Sequence, residues 1–209
     1  MIRLLLAEDH ALVRDALRLF VSVQPDMTLV AQCSDGSEVL EQVRLHQPDV
    51  LLLDLGLPGV DGLEIMAALA RESLATRVLV VTARLDAASV KTSLALGASG
   101  YLPKSEDAEA LLAAVRRVAS GQIYVSPEVA MLFDGESPVG SAAEALSARE
   151  TEVLTLVGSG LSSKEIARQL GISDFTVRKH RENLCRKLGA RNAPELVACA
   201  LRLGLRATH

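Results

Sequence analysis

As far as residue 120, short runs of consecutive apolar residues alternate with longer stretches in which apolar positions return every three or four residues. The runs Ile2–Ala7, Thr28–Gln32, Val50–Leu53, Arg77–Val81 and Gly100–Leu102 have the length of strands. Val50-Leu51-Leu52-Leu53 is apolar on both faces of the pleat, as a strand covered above and below by helices must be. Between the runs, Ala11–Val23, Ser37–Leu45, Leu63–Glu72, Ala87–Leu96 and Asp107–Ala119 carry the helical period. Five βα units joined by right-handed crossovers predict an α/β fold, a doubly wound five-stranded parallel sheet whose ligands bind outside the carboxyl ends of its strands.

The rhythm breaks over residues 121–143. There Pro127, Gly135, Pro138, Gly140 and several serines surround one apolar patch, Val129–Phe133, the pattern of a linker holding a short helix. Beyond it strand signals stop and helix starts repeat. Ser147 with Glu150 and Ser162 with Glu165 both read S-x-x-E, in which hydroxyl and carboxylate each satisfy an orphan backbone N–H. Ser173 and Asn192 can cap two more helices, with Pro194 in a first turn where its missing N–H costs nothing. The pattern predicts a small all-α domain with helices near 148–158, 163–170, 174–188 and 193–203. The chain thus divides into 1–120, a linker at 121–143, and 144–209.

Composition narrows the function classes. Of 209 residues 49% are apolar and 23% charged, as in ordinary globular domains, which excludes a mainly disordered or fibrous chain. Aromatics are 2% with no tryptophan, leaving almost nothing on which a single strand of nucleic acid could stack. Cys33, Cys185 and Cys199 have neither the number nor the spacing of a disulfide framework or zinc site, and fit a reducing compartment. No stretch approaches the roughly 18 to 20 apolar residues that span a bilayer, and Met1–Asp9 lacks the apolar region of a secretory signal. A soluble, cytoplasmic protein without a membrane partner is expected. Residues 1–143 carry 11 lysines and arginines against 19 acids, a balance of −8, whereas residues 144–209 carry 11 against 7, a balance of +4. The basic tail suggests a polyanion partner, and the acidic front part suggests metal binding or plain solubility.

The strand ends of the front part converge on one chemistry. Strand one ends in Glu8-Asp9, strand three in Asp54, strand four in Thr82, and strand five leads into Lys104. Glu8 or Asp9 alone would more often be a solvated or capping acid. Three carboxylates brought together repel unless a cation neutralises them or their pKa values rise, and hard oxygen ligands on strand-end loops suit Mg²⁺. With a lysine and a hydroxyl at hand, the set is built for phosphoryl transfer, with Asp54 attacking and Lys104 and Thr82 offsetting charge on the transferred oxygens.

In the tail, Ala167, Gly171 and Val177 stand at spacings of four and six. A small residue allows close helix approach, a glycine the sharp turn and a branched residue the packing of a helix-turn-helix. The second helix offers Thr176 and the cations Arg178, Lys179, Arg181, Arg186 and Lys187, a set that could meet a DNA duplex or form a solvated face.

Glu8-Asp9-His10, Asp54-Leu55-Gly56-Leu57-Pro58-Gly59-Val60-Asp61-Gly62, Thr82-Ala83 and Gly100-Tyr101-Leu102-Pro103-Lys104 resemble the receiver domain of two-component response regulators. The resemblance covers residues 1 to about 120 and implies a flavodoxin-like fold. It further implies that Asp54 accepts a phosphoryl group from a phosphohistidine on a sensor histidine kinase, and that Glu8, Asp9, Asp54 and the Gly56 backbone carbonyl hold Mg²⁺. Thr82 and Tyr101 would reorient on phosphorylation. Leu57 replaces a methionine common in such proteins, and Gly56 and Arg84 occupy positions that flank the attacking water and set the lifetime of the phosphoryl group. His10 reads as a helix-start residue.

Leu146–Glu150, Gly160–Ala167, Leu170–Ser173, Thr176–His180 and Lys187–Ala190 are similar to the LuxR-type DNA-binding domain. Joined to a receiver, this is the arrangement of the NarL/FixJ class. The resemblance implies that Arg178 and Lys179 enter the major groove and that Lys164 and Thr176 touch phosphates. Glu182 stands where relatives often carry a basic or neutral residue, and is left off the contact set. The last helix would mediate dimerisation through Val197 and Leu201, with Cys199 beside them, although each reads equally well as core. The expected protein is a transcriptional regulator activated by Mg²⁺-dependent phosphorylation of Asp54. Its expected partners are a sensor kinase, double-stranded DNA, RNA polymerase and, once phosphorylated, a second copy of itself. It would be no enzyme beyond its own phosphorylation and dephosphorylation. Two alternatives stand: a dimeric DNA-binding regulator independent of phosphorylation, and a Mg²⁺-dependent phosphohydrolase, which would need a second acid where Gly56 stands.

Overall fold

The computed structural model describes residues 1–72, 74–132 and 146–205. They fall into two compact units, Met1–Ser120 and one beginning at Gly121. The first unit runs β1 (Ile2–Ala7), α1 (Ala11–Ser22), β2 (Met27–Cys33), α2 (Gly36–His46), β3 (Val50–Leu53), α3 (Gly62–Glu72), β4 (Arg77–Thr82), α4 (Ala87–Ala95), β5 (Gly100–Pro103) and α5 (Ala108–Ala119). Its strands are parallel in the order β2-β1-β3-β4-β5, the doubly wound fold expected from the alternation. The order reverses between β1 and β3, the point at which such sheets open a crevice.

Leu4, Leu5, Val50, Leu51, Leu53, Leu79 and Val80 are completely buried, and each contributes roughly 1.5–3 kcal/mol by leaving water. β2 is longer at both ends than its apolar run, because β1 pairs with it from Ile2↔Met27 to Ala7↔Cys33. Ahead of α2, Asp35 accepts from Ser37 N, and the next residue must be glycine: a Cβ on Gly36 would lie 1.9 Å from the Val60 carbonyl oxygen. The loops after β2 and β3 therefore touch backbone to backbone, which holds the loop following Asp54.

The second unit contains β6 (Tyr124–Val125), α6 (Pro127–Met131), α7 (Ala148–Gly158), α8 (Ser163–Leu170), α9 (Asp174–Leu188) and α10 (Ala193–Arg202). Both S-x-x-E sequences form complete capping boxes, and Ser173 and Asn192 cap α9 and α10. Gly171 takes a positive φ of 64° as the C-cap of α8, turning the chain so that the fully buried Val177 packs α9 on the unit's core. Residues 121–132, which read as linker, pack here instead: Ile123 N donates to the Gly160 carbonyl, and β6 and α6 lie on α10. The short helix runs over Pro127–Met131. Phe133 and the rest of the expected linker to residue 143 lie outside the described residues, as do 144–145 and 206–209.

One buried acid ties the helices together. Glu150 completes the box at the start of α7 and accepts a 2.8 Å bond from Lys187 Nζ near the end of α9. The Lys187 contact, with the Ser147 N–H, lowers its pKa from the ordinary 4.5 to about 2. A carboxylate depressed by folding adds stability above its unfolded value and loses that contribution as the pH falls through the folded one. The Glu150 contribution is therefore full above pH 4.5 and disappears between there and about 2. In a carboxyl NMR titration of the native chain, Glu150 should show a midpoint near 2, and Lys187→Met should move it back toward 4.5. A wild-type midpoint already at 4.5 would show that the pair does not form.

Candidate functional site

Ala7, Leu53, Val80 and Tyr101 form one row across the sheet, and Glu8, Asp54, Thr82 and Lys104 follow within one to three residues on their own strands. Backbone hydrogen bonding continues past the strands through Glu8 N→Cys33 O, Asp54 N→Ala7 O and Lys104 N→Thr82 O, so these positions are fixed before their side chains meet. Glu8, Asp54 and Thr82 are buried.

Lys104 Nζ bridges the two buried acids, 2.8 Å from Asp54 Oδ2 and 2.7 Å from Glu8 Oε2. Asp54 also accepts from the Thr82 hydroxyl and, at Oδ1, from the Gly56 N–H at 3.2 Å. Burial pushes the Asp54 carboxyl up, but the bonds from Lys104, Thr82 and Gly56 together outweigh it and hold the group below the usual carboxylate range. Burial likewise pushes the Lys104 ammonium down, and the two acids more than reverse this. The pair is thus ionised at neutral pH. A carboxylate that is charged, oriented and largely shielded from water is a competent nucleophile.

Ligand atoms of Glu8, Asp9, His10 and Asp54 all lie within 4.8 Å of one another. Asp9 Oδ1 is buried without a hydrogen-bond partner; His10 Nδ1 is 2.8 Å away, but not in hydrogen-bonding geometry. An orphaned carboxylate oxygen among other carboxylates is what a hard divalent cation would satisfy, so the residues present fit Mg²⁺. His10 is the N-cap of α1 but caps nothing; its ring turns toward Glu8 and Asp9.

Tyr101 is fully buried, and its hydroxyl donates to the Arg84 carbonyl at 2.5 Å. Burial raises the phenol well above its ordinary value. Arg84 is a junction: its N–H donates to Thr82 Oγ1 at 3.2 Å, and its guanidinium pairs with Asp61 in the loop after β3. Arg14 donates to the carbonyls of Glu8 and Asp9, clamping the loop that carries both acids. Reading the sequence found neither the Asp61–Arg84 pair nor the Arg14 clamp. Asp61 lies in the run that carries the resemblance, but no local pattern marks Arg14.

In the second unit Lys164, Arg178 and Lys179 are exposed, and Thr176 is half-buried with its hydroxyl 2.8 Å from Ser173 Oγ. Arg178 pairs with Asp174 at 2.7 Å and Lys179 with Glu182 at 3.2 Å, so these two exposed cations of α9 are oriented by acids of the same helix. Two further cations of α9 have partners on neighbouring helices: Arg181 donates to Ser163 Oγ, and Lys187, although exposed, holds Glu150. On α10, Val197 and Cys199 are buried within the chain itself, and of the dimerisation candidates only Leu201 keeps exposed surface.

Residues 4–116 match the family described as the response regulator receiver domain, and residues 144–200 match the bacterial regulatory proteins of the luxR family. The chain is 34% identical over 210 residues to the oxygen regulatory protein NreC of Staphylococcus carnosus strain TM300, covering 96% of this chain and 97% of that one. Among solved structures it resembles the signal receiver domain of NarL from Mycobacterium tuberculosis, at 35% identity and a TM-score of 0.56 over 58% of this chain and 98% of that one. It also resembles ChrA, a response regulator of a heme-sensing two-component system, at 33% identity and a TM-score of 0.54 over 98% of both chains. Both family matches fall in order along a chain whose strand-end cluster and helix-turn-helix are in place, and the protein belongs to the response regulators of the LuxR family, two-component transcriptional regulators in which a receiver precedes a LuxR-type DNA-binding domain.

Proposed function

We propose that Asp54 is the phosphoacceptor and that its phosphorylation by a sensor histidine kinase controls promoter binding by the C-terminal unit. The observation that carries this reading is the buried, ionised Asp54 carboxylate held by Lys104, Thr82 and the Gly56 N–H beside two further acids. An Asp54 oxygen attacks the phosphorus of the phosphohistidine, the new O–P bond forms as the N–P bond breaks, and the imidazole leaves with its electron pair. Glu8, Asp9, Asp54 and the Gly56 carbonyl are the groups that would hold Mg²⁺, which when bound supplies positive charge against the phosphoryl oxygens. Lys104 remains as the protein's own cation at that place. Gly56 stands where a hydrolase would need a general acid, so the receiver's chemistry is confined to its own phosphorylation and dephosphorylation.

The acyl phosphate puts a charge of about −2 where the Asp54 side chain held −1. The Thr82 hydroxyl exchanges Asp54 for a phosphoryl oxygen. Because the Arg84 N–H is bonded to that hydroxyl and the Tyr101 hydroxyl to the Arg84 carbonyl, the movement reaches the loop after β4 and the ring in β5. This second arrangement favours a homodimer, with Leu201 in its C-terminal contact, whose two helix-turn-helix units bind double-stranded DNA about one helical turn apart. Arg178 and Lys179 enter the major groove, Lys164 and Thr176 lie against phosphates, and RNA polymerase is engaged at the promoter. The protein works in the cytoplasm; among the described residues no helix is long and apolar enough to cross a membrane.

With a duplex selected from random DNA by the full-length protein, beryllofluoride and Mg²⁺ should tighten binding by about 5- to 150-fold, the usual span of coupling between sites. Asp54→Asn should show no change. Equal affinity of wild type with and without beryllofluoride would replace this reading by a phosphorylation-independent regulator.

A further inference from the structure

Apart from Lys187, whose ammonium is held by Glu150, the exposed residues of α9 fall at 175, 178, 179, 182 and 186, the spacing of one helix face. The opposite face buries Val177, Leu184 and Leu188. Four members of the exposed stripe are charged, namely Arg178, Lys179, Glu182 and Arg186. The fifth, Phe175, is a phenyl ring with 78% of its surface in water. It is the second residue of α9, in the turn that a recognition helix brings to the base edges.

Resting on the reading of α9 as a DNA-binding helix, we infer that Phe175 is a specificity-determining residue that packs against the C5-methyl group of a thymine in the major groove. Arg178, Lys179 and Arg186 make the stripe a surface for a polyanion, and within the major groove of that polyanion the apolar group on a base edge is the thymine methyl. Arg178 and Lys179 stand three and four residues from Phe175 on the same face, so all three reach neighbouring base pairs of one half-site. Their pairing with Asp174 and Glu182 keeps both cations at the stripe. Glu182, at the far end of this group, positions Lys179.

The test uses the full-length protein and a duplex selected by it from random DNA. Each thymine is replaced singly by deoxyuridine, which removes the methyl and nothing else. At one thymine per half-site the wild type should lose about four-fold in affinity, the worth of one buried methyl group. Phe175→Ala should bind the parent duplex more weakly and be indifferent to that replacement, whereas Phe175→Leu should keep part of the sensitivity. Unchanged melting temperatures for both variants, expected at so exposed a position, would show that the fold is intact. Wild-type binding insensitive to every uracil would overturn the assignment, as would an undiminished uracil effect in Phe175→Ala. A phenyl ring resting on the sugar-phosphate backbone would give that result. If the wild type selects no duplex at all, the DNA-binding reading itself fails, which is a distinguishable outcome.

Discussion

Replacing Asp54 by Asn should reduce stable labelling of the chain by acetyl phosphate to background, a loss of about 10³-fold or more, the scale seen when a nucleophile itself is removed. The amide has nearly the shape of the carboxylate but lacks its charge and nucleophilic electron pair. Lys104 would keep its bond to Glu8, and one of the crowded negative charges would be gone. The variant should therefore melt no lower than wild type, so that loss of labelling cannot be ascribed to unfolding. Undiminished acid-stable, hydroxylamine-sensitive labelling in Asp54→Asn would move the acceptor to another carboxylate.

Lys104→Met should lower the stability of the protein in the absence of divalent cations by about 2 kcal/mol. Removing one partner of a fully buried pair costs roughly 3–5 kcal/mol, and Lys104 keeps 16% of its side-chain surface, which reduces the figure. The sign of the pH dependence is the sharper readout. In wild type the lowered Asp54 pKa adds stability above the ordinary value of 3.8, and this is lost as the pH falls through the folded value. Without Lys104 the bonds of Thr82 and Gly56 stand alone against burial and the negative charge of Glu8, and the Asp54 carboxyl should rise. Its protonation would then stabilise the fold, so acidification from pH 7 toward 5 should raise the urea midpoint of the variant and leave that of wild type nearly unchanged. Mg²⁺ should narrow the gap between the two, since a ligand at 100 times its Kd adds about 2.7 kcal/mol and the variant's site is the more negative. A variant as stable as wild type in EDTA, with the same pH dependence, would show that Lys104 does not balance the buried acids.

Much of the site was legible because it depends on local period and chain order. Alternating runs set the strands, parallel strands present their carboxyl ends on one edge, and residues that end β1, β3, β4 and β5 must then be neighbours. Asp54, Glu8, Thr82 and Lys104 follow from that geometry without knowledge of any contact. The helix-turn-helix was legible for the same reason, since capping boxes, the Gly171 turn and the buried Val177 are all set within a few residues of themselves.

Long-range pairing was not legible. Arg181 and Lys187 read in the sequence like the other cations of α9, and only the approach of α8 and α7 gives them partners in Ser163 and Glu150. Val197 reads equally well as surface or core until β6 and α6 are seen to lie on α10. Residues 121–132 have the composition of a linker, yet their backbone bonds to Gly160. Arg14 and the Asp61–Arg84 pair join segments whose encounter no local pattern records. The sequence by itself determined which chemistry stands at the ends of the strands and on the last helices, because periodicity and capping act over a few residues. Tertiary structure decided which charges are spent inside the protein and which remain for a partner, because that depends on what packs beside each of them.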